Sequence, residues 1–212
     1  NIHDELKDNL TTNHIEYIKK MKEKNNEEHN FFLYLQYSNI HTGIMNEVLK
    51  IYDNFSAEYF ENKSKNEKRY DDLFLNAEKY LDKIMEIIYE LELEKNSIIL
   101  IMSDHGISIG EKIGERAYGA FCYDYTIKTF AYFLFPDIIP QKISQQIRTI
   151  DYMPTILDYL EIKLDSNYEK IDGVSLLPLF NGSKFLEKYA YSETGNPQNQ
   201  KANIYFLQLC LL

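Results

Sequence analysis

Ile98-Ile99-Leu100-Ile101-Met102-Ser103-Asp104-His105-Gly106 is an apolar run that ends abruptly in a carboxylate, an imidazole and a glycine. Five consecutive apolar residues fit a strand buried on both faces. Just upstream, Tyr70, Leu73, Phe74, Ala77, Tyr80, Leu81, Ile84, Ile87, Ile88 and Leu91 recur at a three-four spacing, with Asp, Glu and Lys on the other face. That pattern predicts a long amphipathic helix. Before it, Phe31-Phe32-Leu33-Tyr34-Leu35 is a second continuous apolar run and reads as another buried strand. A strand, a crossover helix and a second strand make a βαβ unit, so the sequence predicts an α/β fold with a parallel sheet.

The position of Asp104 and His105 follows from that reading. Ligands of open α/β sheets bind outside the carboxyl ends of the strands. A carboxylate beside an imidazole suits Ca2+, Mg2+, Mn2+ or Zn2+, and Gly106 permits a sharp turn. Spacing alone leaves a second reading equally open, in which Asp104 caps the next element and His105 bonds locally.

Composition bounds the function classes. The chain has 212 residues, 44% hydrophobic and 26% charged, with a net charge of -10. This is the make-up of a globular domain with a core, and it offers no basic surface for nucleic acid or anionic lipid. The two cysteines, Cys122 and Cys210, form no disulfide framework or zinc spacing and read as small buried hydrophobes. The terminal run from Ile204 to Leu212 is too short to span a bilayer. Starting at Asn1 and ending in an apolar run, the chain reads as a fragment, and no compartment is legible.

Elsewhere, residues 11–24 suggest a helix capped by Thr11 or Thr12 with Ile15, Ile18 and Met21 inward. Residues 42–69 read as a long surface excursion, and the glycines from Gly106 to Gly119 as a flexible loop. Phe130 to Phe135 is a third strand stopped by Pro136, Asp151 caps a helix with Pro154 in its first turn, and Tyr189 to Ser192 is a further strand.

These landmarks resemble, in order, those of the sulfatase family of the alkaline phosphatase superfamily. A long helix beginning Tyr70-Asp71 holds Asp82, and an apolar strand runs into Ser103-Asp104-His105-Gly106. A Gly/Glu loop, Gly110-Glu111 to Gly114-Glu115, leads to Cys122-Tyr123-Asp124. Asp151-Tyr152-Met153-Pro154-Thr155-Ile156-Leu157 is similar to the family's D-x-x-P-T-x-L, and Asp172 to Leu179 to its D-G-x-S-L-L-P-L. Phe31 to His41 resembles a family strand and loop ending in histidine. The resemblance implies an alkaline-phosphatase-like α/β/α sandwich with a mostly parallel sheet, incomplete in this chain. Residues 1–182 would form a partial α/β domain, and residues 183–212 the start of a truncated C-terminal β subdomain.

It further implies hydrolysis of a sulfuric ester of a small molecule or carbohydrate. The nucleophile would be a formylglycine, and one divalent cation, most often Ca2+, would neutralise charge. Asp104 and His105 would be metal ligands, and His41 would contact ester oxygens or protonate the leaving group. Arg116 is the one cation near the place where the family has a Lys or His; two readings stay open, a bidentate contact to the anionic ester and a solvated loop charge. Lys128 takes the place of an arginine that looks structural. Three departures stand out. Thr42-Gly43 follows His41 where Pro-Tyr is usual, no Cys-x-Pro-x-Arg or Ser-x-Pro-x-Arg occurs, and the N-terminal Asp-Asp metal pair is absent. Two alternatives share the motifs: a phosphodiesterase, phosphatase or phosphoethanolamine-type transferase, and a degenerate relative without catalysis.

Overall fold

The computed structural model describes residues 10–24, 30–44, 60–112, 118, 121–186, 188–193 and 210–211. They fall into two units: residues 1–96 with 107–120, and residues 97–106 with 121–212.

The first unit is helical. Helix α1 (Leu10–Lys24) buries His14 and Ile18, and helix α2 (Lys63–Glu90) buries Ile84 and Ile87. Ile18, Ile84, Ile87 and Leu93, the last in a 3-10 turn at Leu93–Asn96, form the core. α1 starts at Leu10, so neither threonine caps it. α2 begins seven residues before Tyr70, inside the stretch read as a surface excursion. Polar residues with good helix propensity carry these added turns, which an apolar-period test cannot see.

The 31–35 segment departs from its reading. Phe32 and Tyr34 are 85% and 73% exposed, whereas Leu33 and Leu35 pack on the helical core. The segment makes no strand ladder among the described residues. Alternation of this kind buries one face only, here against the helices, rather than both.

His14 is the unpredicted member of this core. Its Nδ1 lies 2.7 Å from the Tyr80 hydroxyl, and Tyr80 stacks on Tyr37 at 4.5 Å. Burial pushes His14 below its ordinary 6.5, and burial pushes Tyr80 up to about 12. A depressed histidine gives stability that is whole above 6.5 and is lost as pH falls through the folded value. Urea midpoints measured between pH 7.5 and 5.5 should therefore drop. His14→Gln, which has nothing to protonate, should show a smaller drop. An equal drop in both proteins would remove His14 as the cause.

The second unit is built on strands β1 (Ile99–Met102) and β2 (Ala131–Leu134). They pair antiparallel, Ile99 opposite Leu134 and Met102 opposite Ala131. Both strands were legible in the sequence. Helix α3 (Asp124–Ile127) lies between them in sequence, and helices α4 (Tyr152–Tyr159) and α5 (Leu177–Phe180) follow. Tyr152, Leu176 and Leu179 form the core, with Leu100, Ala131 and Phe133 of the strands packed against it. Strand β3 (Tyr191–Ser192) pairs antiparallel with β4 (Cys210–Leu211).

A polar joint locks α4 to the Asp172–Leu177 segment. Asp151, 1% exposed, does not cap α4 with its side chain. Its carboxylate instead accepts bonds from the Arg148 backbone and guanidinium and from the Val174 N–H at 2.7–3.1 Å. Thr155 Oγ1 accepts from the Leu176 N–H at 2.9 Å. A Cβ on Gly173 would stand 1.9 Å from the Ile150 carbonyl oxygen, so only glycine fits this approach. The D-x-x-P-T and D-G-x-S-L stretches are thus two halves of one fastening.

Candidate active site

The chain leaves β1 into a frame that fixes residues 103–106. The Ser103 N–H donates to the Phe130 carbonyl and Ser103 Oγ accepts from the Phe130 N–H, both at 3.2 Å, extending the β1–β2 pairing by one residue. On the far side the Gly106 N–H donates to the Thr126 carbonyl at 2.9 Å. The Thr126 hydroxyl donates in turn to the Phe121 and Tyr123 carbonyls. Gly106 is needed for close packing rather than for a left-handed turn. Its φ is not positive, but an added Cβ would stand 2.1 Å from the Tyr125 carbonyl oxygen.

Asp104 and His105 project from this frame. The Asp104 side chain is 76% exposed and that of His105 33%. Asp104 Oδ1 accepts the His105 backbone N–H at 2.8 Å. His105 Nδ1 lies 2.8 Å from the Gly106 carbonyl oxygen, which can only accept. Nδ1 therefore carries the proton, and Nε2 is the basic nitrogen. Nε2 and Asp104 Oδ2 are 3.7 Å apart. One cation with bonds of about 2.0–2.6 Å to each atom spans that gap, so the pair fits a divalent metal. One oxygen of the Asp104 carboxylate bonds locally, and the other lies beside the imidazole. Among the described residues, no group of three or more His, Cys, Asp or Glu side chains gathers as a metal site.

The remaining candidates are distributed as follows. His41 sits in the first unit, on helical residues 39–44, with its side chain exposed. Thr42 and Gly43, the departure after this histidine, have structural work. Thr42 is buried and its hydroxyl donates to the Ser38 carbonyl at 2.5 Å. A Cβ on Gly43 would stand 2.6 Å from a Leu73 methyl, so glycine lets the segment lie close on α2. Arg116 lies outside the described residues. Lys128 pairs with Asp124 at 2.6 Å across α3, both exposed, as a structural charge would; such a pair contributes at most about 1 kcal/mol. Cys122 is buried and in no disulfide.

Sequence reasoning missed two contributors. Tyr118 brings its hydroxyl to 3.4 Å from His41 Nε2, with ring centroids 5.4 Å apart. Asn66 donates to the Ile109 carbonyl at 2.9 Å and anchors the start of the glycine loop. Ser108 there is fully buried, and Glu111 accepts from its hydroxyl and from the Ile109 N–H. Residues 108–111 are therefore pinned. No periodicity marks the contacts of Tyr118 and Asn66, because each depends on a partner more than 40 positions away.

Comparison with known proteins bears on the family and the fold. The sulfatase family model matches residues 2–162. No curated protein sequence matches. Among solved structures, the sulfatase-family protein yidJ from Bacteroides fragilis superposes with a TM-score of 0.67 at 20% identity, over 89% of this chain and 44% of that one. BT1596, a 2-O GAG sulfatase, gives 0.57 at 20% identity, over 88% and 42%. A phosphonate monoester hydrolase from Silicibacter pomeroyi gives 0.52 at 24% identity, over 60% and 25%. The chain spans less than half the length of each. The likenesses show the alkaline-phosphatase-like α/β fold, present in part, and with the match over three quarters of its residues the chain belongs to the sulfatase family.

Proposed function

We propose that the protein carrying this chain hydrolyses sulfate esters with the help of a divalent cation, most simply Ca2+, and that Asp104 and His105 are two of its ligands. The observation that carries this is the 3.7 Å separation of Asp104 Oδ2 and His105 Nε2 on a frame at the end of β1. A bound cation would neutralise charge building on the ester oxygens. The chain's own residues do the rest of what can be derived. The Gly106 carbonyl holds His105 in the tautomer that presents a basic Nε2. Ser103 and Gly106 tie the pair to Phe130 and Thr126, so the ligands are set before the metal arrives. His41 would steady the ester oxygens or give a proton to the leaving group. Arg116 stays a proposed contact to the anionic ester. No Cys-x-Pro-x-Arg or Ser-x-Pro-x-Arg occurs among these 212 residues, so the bond-making step is assigned to none of them.

A sulfated sugar is the proposed substrate class, on the support of the 2-O GAG sulfatase likeness. The likeness to a phosphonate monoester hydrolase supports one second reading, a phosphorus ester. The division of the chain at residue 182, with a further subdomain beginning at 183, is proposed on the family resemblance.

The test assays the protein on an aryl sulfate, a sulfated oligosaccharide and a phosphonate monoester, before and after chelation and after Ca2+ return. Sulfate turnover that falls with chelator and recovers with Ca2+ is expected. Turnover indifferent to chelator sinks the metal assignment, and phosphonate turnover without sulfate turnover moves the function to the second reading. No turnover of any ester with metal bound supports the degenerate relative.

A further inference from the structure

We infer that Tyr118 is the positioning residue of His41, holding its imidazole in one orientation and one tautomer. The inference rests on the reading of His41 as a residue that meets the ester, and it adds what aims that residue.

The backbone of His41 is fixed but its ring is not. Thr42 ties residues 38–42 together through both its N–H and its hydroxyl. Ile44 is buried and Gly43 lies against Leu73. These contacts settle where the Cα of His41 stands. The side chain itself is exposed, and an exposed imidazole turns freely about its two side-chain torsions unless a neighbour holds it. Tyr118 is that neighbour. Its ring lies 5.4 Å from the imidazole at an angle of 48°, and its hydroxyl is 3.4 Å from Nε2. That is the long end of hydrogen-bond range, as catalytic contacts commonly are before substrate tightens them.

The direction of the bond follows from acidity. A phenol gives up its proton far more readily than a neutral imidazole N–H, so the Tyr118 O–H donates and Nε2 accepts. The imidazole proton then sits on Nδ1. When His41 takes up a proton, Nε2–H donates and the same phenol oxygen accepts. One neutral hydroxyl therefore keeps the ring in place in both protonation states, without adding a charge beside an anionic ester. The edge bearing Nδ1 is left to meet the substrate.

The experiment is nitrogen NMR of the protein with labelled histidine, wild type against Tyr118→Phe. Phenylalanine keeps the ring contact and removes the hydroxyl. In the wild type, neutral His41 should carry its proton on Nδ1. In Tyr118→Phe it should shift toward the Nε2–H form. An unchanged tautomer overturns the inference, and a wild-type spectrum dominated by Nε2–H overturns it even if the variant does not fold. In the turnover assay, Tyr118→Phe should lower kcat roughly tenfold with KM nearly unchanged, the signature of lost orientation. The two readings fail separately. A tautomer shift together with full activity in His41→Ala would refute the role of His41 in catalysis and leave the positioning contact intact.

Discussion

Replacing Asp151 with alanine is expected to destabilise the second unit by about 3–5 kcal/mol, the cost of leaving one partner of a buried ion pair alone. The Asp151 side chain is 2% exposed and that of Arg148 18%. Three bonds come from Arg148, two of them from the guanidinium, and a fourth from the Val174 N–H. The hydrogen bonds to Asp151, more than simple charge attraction, hold the Arg148 guanidinium above its ordinary value. Alanine strands that cation and orphans two backbone N–H groups, those of Arg148 and Val174, at the joint between α4 and residues 172–177. Leu176, wholly buried in the same joint, would lose its support. Asn should be milder, since its oxygen can still accept from Val174 while the charge attraction is gone. Urea unfolding checks both variants, and a loss below about 1 kcal/mol for alanine would show that the joint is dispensable.

This joint also marks where sequence reading succeeds and where it stops. The residues of D-x-x-P-T and D-G-x-S-L were legible as landmarks, but their purpose was not. A carboxylate just before a helix reads as a cap, and only the fold reveals that Asp151 is claimed by Arg148 and by Val174, 23 positions on. The apolar runs at 98–102 and 130–135 and the period of α2 were legible because burial along one element leaves a local trace. Pairing direction left none, since it depends on which strand is the neighbour. Phe31–Leu35 misled because exposure of Phe32 and Tyr34 is decided by what covers them. In the second unit Asp104 and His105 stood out by their place after a strand; in the first unit Tyr118 reaches His41 across 77 positions and gave no signal.

Asp104→Ala should abolish metal uptake and lower ester turnover by at least about a hundredfold in the protein that carries this chain. The Asp104 side chain is 76% exposed, and the bond it accepts comes from the adjacent His105 N–H rather than from a distant part of the fold. Such a residue contributes little to folding, so the variant's unfolding free energy in urea titration should stay within about 0.5 kcal/mol of wild type. A loss of function without a loss of stability separates a ligand from a structural carboxylate such as Asp151, where both fall together. Asp104→Asn refines the test. It keeps an oxygen at the same place and removes the negative charge that a hard cation seeks, so its metal content should lie between the two. Calcium measured by mass spectrometry after desalting reads the outcome directly. Wild-type calcium in Asp104→Ala would mean that the 3.7 Å pairing with His105 Nε2 is a surface accident. The exposed carboxylate would then be only the local backbone acceptor that its other oxygen already is.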